Sequence, residues 1–262
     1  MRVALVTGAC SGIGNAVATR LASLGYELVV VSHRPRELGE AADELRRAHG
    51  VVVHAVPLDL ARPEAAAELH ERCRSLGVEV DILVNNAGML LYGDVADTPP
   101  AAANALLQLH VVTPSLLATL FGRDMRARGR GHILVVSSIS AWRDFPRIAY
   151  YGSSKRYLRS FTRALRTELA PHGVNVTCLA PGPTMTGLYD PNSVPVGTAE
   201  RLGVMMDATS VADAGLRAMF AREAEHIPGL VARAMTFGAV LTPQRVIDLL
   251  QRYVPAMGKR GQ

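Results

Sequence analysis

The chain has 262 residues, 49% of them hydrophobic and 19% charged, with a formal net charge of +5; this balance excludes a disordered or low-complexity chain and is enough for one α/β domain over 1–262. Cys10, Cys73 and Cys178 lie far apart with no Cys-x-x-Cys pair, which speaks against a disulfide framework or a metal site and fits a reducing cytoplasm. No window approaches the roughly 18 uninterrupted apolar residues of a membrane span, and Met1 runs straight into a strand-like stretch without a signal-peptide pattern, so neither a membrane protein nor a secreted one is expected.

Short β-branched runs at 3–6, 28–31, 51–56, 82–84, 133–136 and 174–179 alternate with helix-period segments at 13–24, 36–49, 63–76, 99–128 and 151–172. The runs are almost continuously apolar, as strands covered on both faces are, so a parallel sheet between two helical layers is expected. The pattern predicts a Rossmann-type, doubly wound α/β/α fold. After Pro181 the rhythm breaks. Pro183, Gly187, Pro191, Pro195 and Gly197 punctuate a stretch read as a helical lid over about 183–210, followed by a helical C-terminal segment over about 211–257, with helices near 211–222 and 243–253.

Chemistry-bearing residues fall at the ends of these strands. Thr7-Gly8-Ala9-Cys10-Ser11-Gly12-Ile13-Gly14 joins the first strand to a helix whose free N–H groups and positive dipole end suit a pyrophosphate. The second strand ends in Ser32-His33-Arg34 without a carboxylate to hold a ribose 2′-hydroxyl, and Arg34 offers a fork for a 2′-phosphate, so NADP(H) is expected over NAD(H). The bland alternative for Arg34 is a solvated loop charge.

With Asn85-Asn86-Ala87-Gly88 after the fourth strand, Ser138 after the fifth, Tyr151-x-x-x-Lys155 at a helix start and Pro181-Gly182 after the sixth, the chain resembles the short-chain dehydrogenase/reductase family over roughly residues 1–190. The family's frequent final strand ending in Asp-Gly-Gly is missing. The resemblance implies cofactor contacts from Asp59-Leu60, Asn85, Ala87, Gly88, Pro181, Gly182, Thr184 and Thr186, besides the glycine-rich turn. It also implies that Tyr151 exchanges a proton with a carbonyl or alcohol oxygen while hydride passes to or from nicotinamide, and that Lys155 holds the nicotinamide ribose. Asp59 as a helix cap, Asn85 as a backbone partner and Thr186 as a turn residue are the alternatives.

Tyr151 and Lys155 share one helical face, so the ammonium can favour the phenolate. Lys155 stands out further because the chain has 28 Lys plus Arg but only one other lysine, Lys259. Tyr150 points about a quarter turn away from Tyr151. Ser137 competes with Ser138; strand alternation sends the two apart, and the resemblance, through the spacing to Tyr151, implies Ser138 as donor to the substrate oxygen.

The family usually has asparagine where this chain has His110, which puts the proton relay in doubt. Pro114 lacks an N–H and collides with the carbonyl four residues back, that of His110, which would free it to hold a relay water.

Arg156, Arg159, Arg163 and Arg166 form a basic stripe, and Arg123, Arg126, Arg128 and Arg130 gather at a helix end, but aromatic residues are 5% and not interleaved with them, so no nucleic-acid partner is expected. The apolar stripe of Leu158, Phe161, Leu165 and Leu169 is needed for the core whatever the assembly, while the resemblance implies a homodimer or homotetramer. Met185, Leu188, Tyr189, Val194, Met205 and Met206 suggest an apolar pocket for a hydrophobic ketone, aldehyde or secondary alcohol. The rival readings are an NADP(H)-binding redox sensor without turnover, and a family epimerase or dehydratase, which usually carries a larger substrate region.

Overall fold

The protein is described by a computed structural model covering residues 2–188, 205–243 and 245–246. Its sheet contains β1 (Val3–Thr7), β2 (Glu27–Ser32), β3 (Val53–Pro57), β4 (Val80–Asn85), β5 (Gly131–Val136), β6 (Val174–Leu179) and a two-residue β7 (Glu225–His226). The order is β3-β2-β1-β4-β5-β6-β7, and every pair is parallel.

Alternation along each strand divides the apolar side chains between two cores. Leu5, Val29, Leu83, Ile133 and Val176 face one side, where α3 (Ala65–Ser75), α5 (Thr113–Arg128) and α6 (Ala149–Leu169) pack. Val6, Leu28, Val30, Ile82 and Leu134 face the other, beneath α1 (Gly12–Ser23), α2 (Pro35–His49) and α7 (Ala208–Phe220). This is the expected three-layer α/β/α fold. The chain leaves β1 for β2 on one side and reaches β4 on the other, and this reversal places a cleft beyond the strands' carboxyl ends.

The helix expected over 99–128 is interrupted. It comprises α4 (Pro100–Leu107), a π-helical turn (Gln108–Val112) and α5. Pro114, which can donate no backbone hydrogen bond and crowds the preceding turn, accounts for the widening just before it. By length and composition the run Pro100–Arg128 could cross a membrane, but Leu117, Phe121 and Met125 along it are core residues packed under the sheet.

The other departures lie after β6. The last part of the expected lid, 208–210, is already the first turn of α7, because the Asp207 carboxylate accepts the Ser210 N–H at 2.9 Å and caps the helix. Thr184 and Met206 form a parallel bridge that draws the two described ends of that stretch together. Within the expected helical segment, though at neither of the two positions singled out there, α8 (Leu230–Leu241) follows β7. Tyr189, Pro191, Val194, Pro195 and Gly197 lie outside the described residues, as does nearly all of the helix expected over 243–253.

Candidate active site

At the carboxyl ends of β1, β2, β4, β5 and β6 lies a cleft of about 740 Å³. Its floor is the turn between β1 and α1. The Thr7 hydroxyl donates to the Val84 carbonyl at 3.1 Å and accepts the N–H groups of Asn86 and Ala87 at 2.9 and 3.0 Å, fastening the turn to β4. The Asn86 amide adds a bond to the Thr7 carbonyl at 2.8 Å. Gly14 has no room for a side chain, since a Cβ there would sit 2.2 Å from the Gly8 oxygen. Ser11, extended at the N-cap of α1, makes no side-chain cap, so the first-turn N–H groups remain available to an anion.

Gly8, Ser11, Gly12 and Ile13 line this part of the cleft, with Ser32, His33 and Arg34 from the end of β2 and Asp59 and Leu60 beyond β3. Arg34 reaches across: its guanidinium donates to Cys10 Sγ and Ser11 Oγ, both at 2.9 Å. Its own backbone N–H is held by Ser32 Oγ at 3.2 Å. No carboxylate stands at the end of β2, whereas the Asp59 side chain accepts the Ala61 N–H at 2.9 Å in a local turn. Ala87 and Gly88 line the middle of the cleft, and Pro181, Gly182, Thr184 and Thr186 the side after β6.

The far end brings Ser138, Tyr151 and Lys155 together on the same cleft wall. Ser138, two residues beyond β5, is half-buried and accepts the Ser140 N–H at 3.2 Å, which leaves its own hydrogen for another acceptor. Its neighbour Ser137 also lines the cleft, but its hydroxyl donates to the Lys155 carbonyl at 2.8 Å, so that serine secures α6. Lys155 Nζ donates to the Val136 carbonyl at 3.0 Å and lies 5.6 Å from the centre of the Tyr151 ring. Burial pushes the Lys155 ammonium down to about 8, with Cys178 acting the other way. Tyr150 is not among the cleft-lining residues.

Four of the expected site residues stand behind the wall instead of on it. Thr7 and Gly14 support the turn as described. Asn85 is buried and donates to the Pro114 carbonyl at 3.0 Å. His110 is buried in the π-helical turn, with Nε2 2.9 Å from the Met89 N–H and Nδ1 2.9 Å from Ser154 Oγ. Its pKa lies well below the ordinary histidine value because of burial, reinforced by the Lys155 charge.

The structure also assigns positions that the motifs did not single out. Cys10 enters the cleft through its contacts with Arg34 and with Ser32 Oγ at 3.1 Å. Met89, Leu90, Ala105 and Leu109 add apolar side chains to the cleft lining. Ser154 carried one legible signal, its place one turn after Tyr151. Of the proposed apolar lining beyond β6, Leu188 faces the cleft, Met185 is exposed and Met206 packs on the core. Three arginines of the α6 stripe are engaged: Arg156 with Asp144 at 2.7 Å, Arg159 with Glu225 at 2.6 Å, and Arg166 with the Val176 carbonyl at 3.0 Å.

Comparison with known proteins bears on the family and the fold. A family profile described as "short chain dehydrogenase" matches residues 2–194. "Dehydrogenase/reductase SDR family member 4" of Bos taurus is 36% identical over 182 residues, covering 69% of this chain; the match spans 65% of the length of that relative. A short-chain dehydrogenase from Sphingobium yanoikuyae, solved in complex with NADPH, superposes with a TM-score of 0.79 at 28% identity, covering 100% of this chain and 97% of the other. A bulky-bulky ketone specific alcohol dehydrogenase from Comamonas testosteroni gives 0.78 at 26% identity, covering 100% and 96%.

Proposed function

This chain belongs to the short-chain dehydrogenase family, and from that premise we propose that it is a nicotinamide-dependent oxidoreductase that reduces an apolar ketone or aldehyde, or oxidises the matching secondary alcohol, using NADP(H). The observation that carries this reading is the meeting of Ser138, Tyr151 and Lys155 in the same cleft as the glycine-rich turn and Arg34.

The residues present fit the dinucleotide. The close approach at Gly14 and the uncapped start of α1 suit a pyrophosphate, and a guanidinium replaces the carboxylate that would favour an unphosphorylated ribose. Ser11, Gly12 and Ile13 would hold the pyrophosphate, Arg34 the 2′-phosphate, Asp59 and Leu60 the adenine side, and Tyr151 and Lys155 the nicotinamide ribose. When bound, the nicotinamide supplies or accepts the hydride.

The chain's own residues then manage the proton. Ser138 donates a hydrogen bond to the substrate oxygen and stabilises the charge that builds there. Tyr151 delivers its phenolic proton to that oxygen in reduction and removes it in oxidation. Lys155, positive at neutral pH and close to the ring, favours the phenolate form. Met89, Leu90, Ala105, Leu109 and Leu188 exclude water from the reacting end and suit a substrate with apolar flanks. The similarity to the Comamonas alcohol dehydrogenase specific for bulky-bulky ketones supports that substrate class.

The test is NADPH oxidation across a panel of apolar ketones and aldehydes, with the wild type and Tyr151→Phe side by side. Turnover lost in the variant while NADPH still binds is the expected result. Binding of NADPH without turnover of any carbonyl or alcohol would favour the redox-sensor reading.

A further inference from the structure

The His110 imidazole lies where three parts of the fold meet: the π-helical turn before α5, the loop after β4 and the first turns of α6. It is 1% exposed. Nε2 accepts the Met89 N–H at 2.9 Å, and a ring nitrogen that accepts carries no proton. The neutral ring therefore has its proton on Nδ1, which donates to Ser154 Oγ at 2.9 Å. With its oxygen accepting from the ring, the Ser154 hydroxyl donates its own hydrogen to the Tyr151 carbonyl at 2.7 Å. Three hydrogen bonds thus run in one direction, from the Met89 amide through imidazole and hydroxyl to the backbone of Tyr151. The imidazolium, or the tautomer protonated on Nε2, would set two hydrogens against each other at Met89. Burial beside Lys155 disfavours the imidazolium.

Two further contacts tie the ring to this place. It meets the Tyr151 ring edge-on, with centroids 5.7 Å apart and planes at 68°. A Cβ at Gly88 would lie 3.0 Å from Nε2, so the glycine that ends Asn85-Asn86-Ala87-Gly88 leaves the space the imidazole uses.

We propose that His110 and Ser154 are positioning residues for Tyr151: the hydrogen-bonded chain fixes the turn that carries the phenol, and the edge-on ring contact fixes its direction, both relative to the Met89 loop that walls the same cleft. The proposal rests on the catalytic role given to Tyr151 above. Neither residue lines the cleft, and the chain ends on the Tyr151 carbonyl, so it orients the proton donor and carries no proton to it. A misplacement of about 1 Å at a reacting group costs on the order of 100-fold in rate.

Kinetics of His110→Ala, Ser154→Ala, the double variant and His110→Gln, with NADPH dissociation constants measured alongside, test this. An amide presents an acceptor and a donor spaced much as the two ring nitrogens are, so glutamine can bridge Met89 and Ser154. Each alanine variant should lower kcat by about 10- to 100-fold with NADPH binding within about twofold. The double variant should be little worse than the poorer single, as members of one chain are non-additive. Glutamine should recover most of kcat. A kcat within about twofold of wild type in both singles, additive losses, or glutamine no better than alanine in protein that melts cooperatively would each overturn the proposal. The ¹⁵N spectrum of the wild-type ring near pH 7 is an independent readout: Nδ1–H is expected, and an imidazolium or an Nε2–H ring overturns the hydrogen-bond chain itself. If wild type turns over no substrate, the oxidoreductase reading falls and the positioning role with it, and an Nδ1–H ring would then locate the fault in the reaction and not in the geometry.

Discussion

The two ends of the cleft are made in different ways. At the phosphate end, residues 8–14 and 32–34 come together because β1 and β2 are parallel neighbours in close register, so two strand exits deliver the whole arrangement. At the catalytic end, Ser138 comes from the exit of β5, Tyr151 and Lys155 from α6, and the support behind them from His110 in the turn before α5. The first end is largely a backbone surface finished by one guanidinium. The second depends on side chains locked by one another, Ser137 to the Lys155 carbonyl and Ser154 to the Tyr151 carbonyl. Substitutions at the phosphate end should therefore change which cofactor binds, and those at the catalytic end how fast the bound complex reacts.

The largest separation is expected from Tyr151→Phe, which should lower kcat/KM by about 100- to 10,000-fold, the usual contribution of a placed acid. Its NADPH dissociation constant should rise only a few-fold in a fluorescence titration, since one ribose contact is lost and the others remain. Loss of binding in this variant would mean that the two ends are not separable.

Lys155→Met should also remove most turnover, and it should do so while raising thermal stability. The unfolded lysine keeps its proton to near 10.5, whereas the folded one releases it near 8. Between those values the unfolded chain binds more protons, so the wild type gains stability as pH rises through that window and carries the cost of the buried ammonium below it. Melting curves without cofactor should show the variant ahead at pH near 7, with the gap closing from about pH 8 to 10.5. A variant less stable at neutral pH would contradict this.

Arg34→Ala should weaken NADPH binding about tenfold or more and leave NADH nearly unchanged, since a charge-assisted hydrogen bond contributes about 1.5–3 kcal/mol. Equal losses for both cofactors would place the guanidinium away from the 2′-phosphate. The smallest effect is expected at the joint behind the catalytic end. Pro114 lines a hollow of about 10 Å³ with Asn85 and His110, and Asn85 Oδ1, which has no partner among the described residues, belongs to this group. Pro114→Ala, by allowing an ordinary helical turn, should slow turnover several-fold with unchanged cofactor affinity; an unchanged rate would remove any part for this turn in proton supply.

The phosphate end was legible from local spacing. A glycine-rich turn between strand and helix, and Ser32-His33-Arg34 after the next strand, need only the parallel pairing of β1 and β2 to become a site. At the catalytic end, the spacing of Tyr151 and Lys155 was equally local. Ser154 was marked only by its place one turn after Tyr151, because its distant partner His110 is not visible in the local sequence. His110 was legible as a departure, but its partners Met89 and Ser154 are 21 and 44 residues away. Cys10 was read as one residue of the glycine-rich turn without a disulfide or metal partner, and its contact with Arg34, 24 residues on, was not visible locally. α8 fell inside the expected helical segment without being given its own bounds, and the two-residue β7 was missed because it is too short to show a period.

Order along the chain, the alternation of buried strands with amphipathic helices, and the motifs at strand ends were settled by covalent sequence, because hydrophobic period and glycine permissiveness are properties of neighbouring residues. Folding decided which of those motif residues face the cleft and which stand behind it, the protonation and tautomer of His110, and the separate duties of Ser137 and Ser138. Those depend on burial and on hydrogen bonds across tens of residues, and both arise only when distant segments exclude water together.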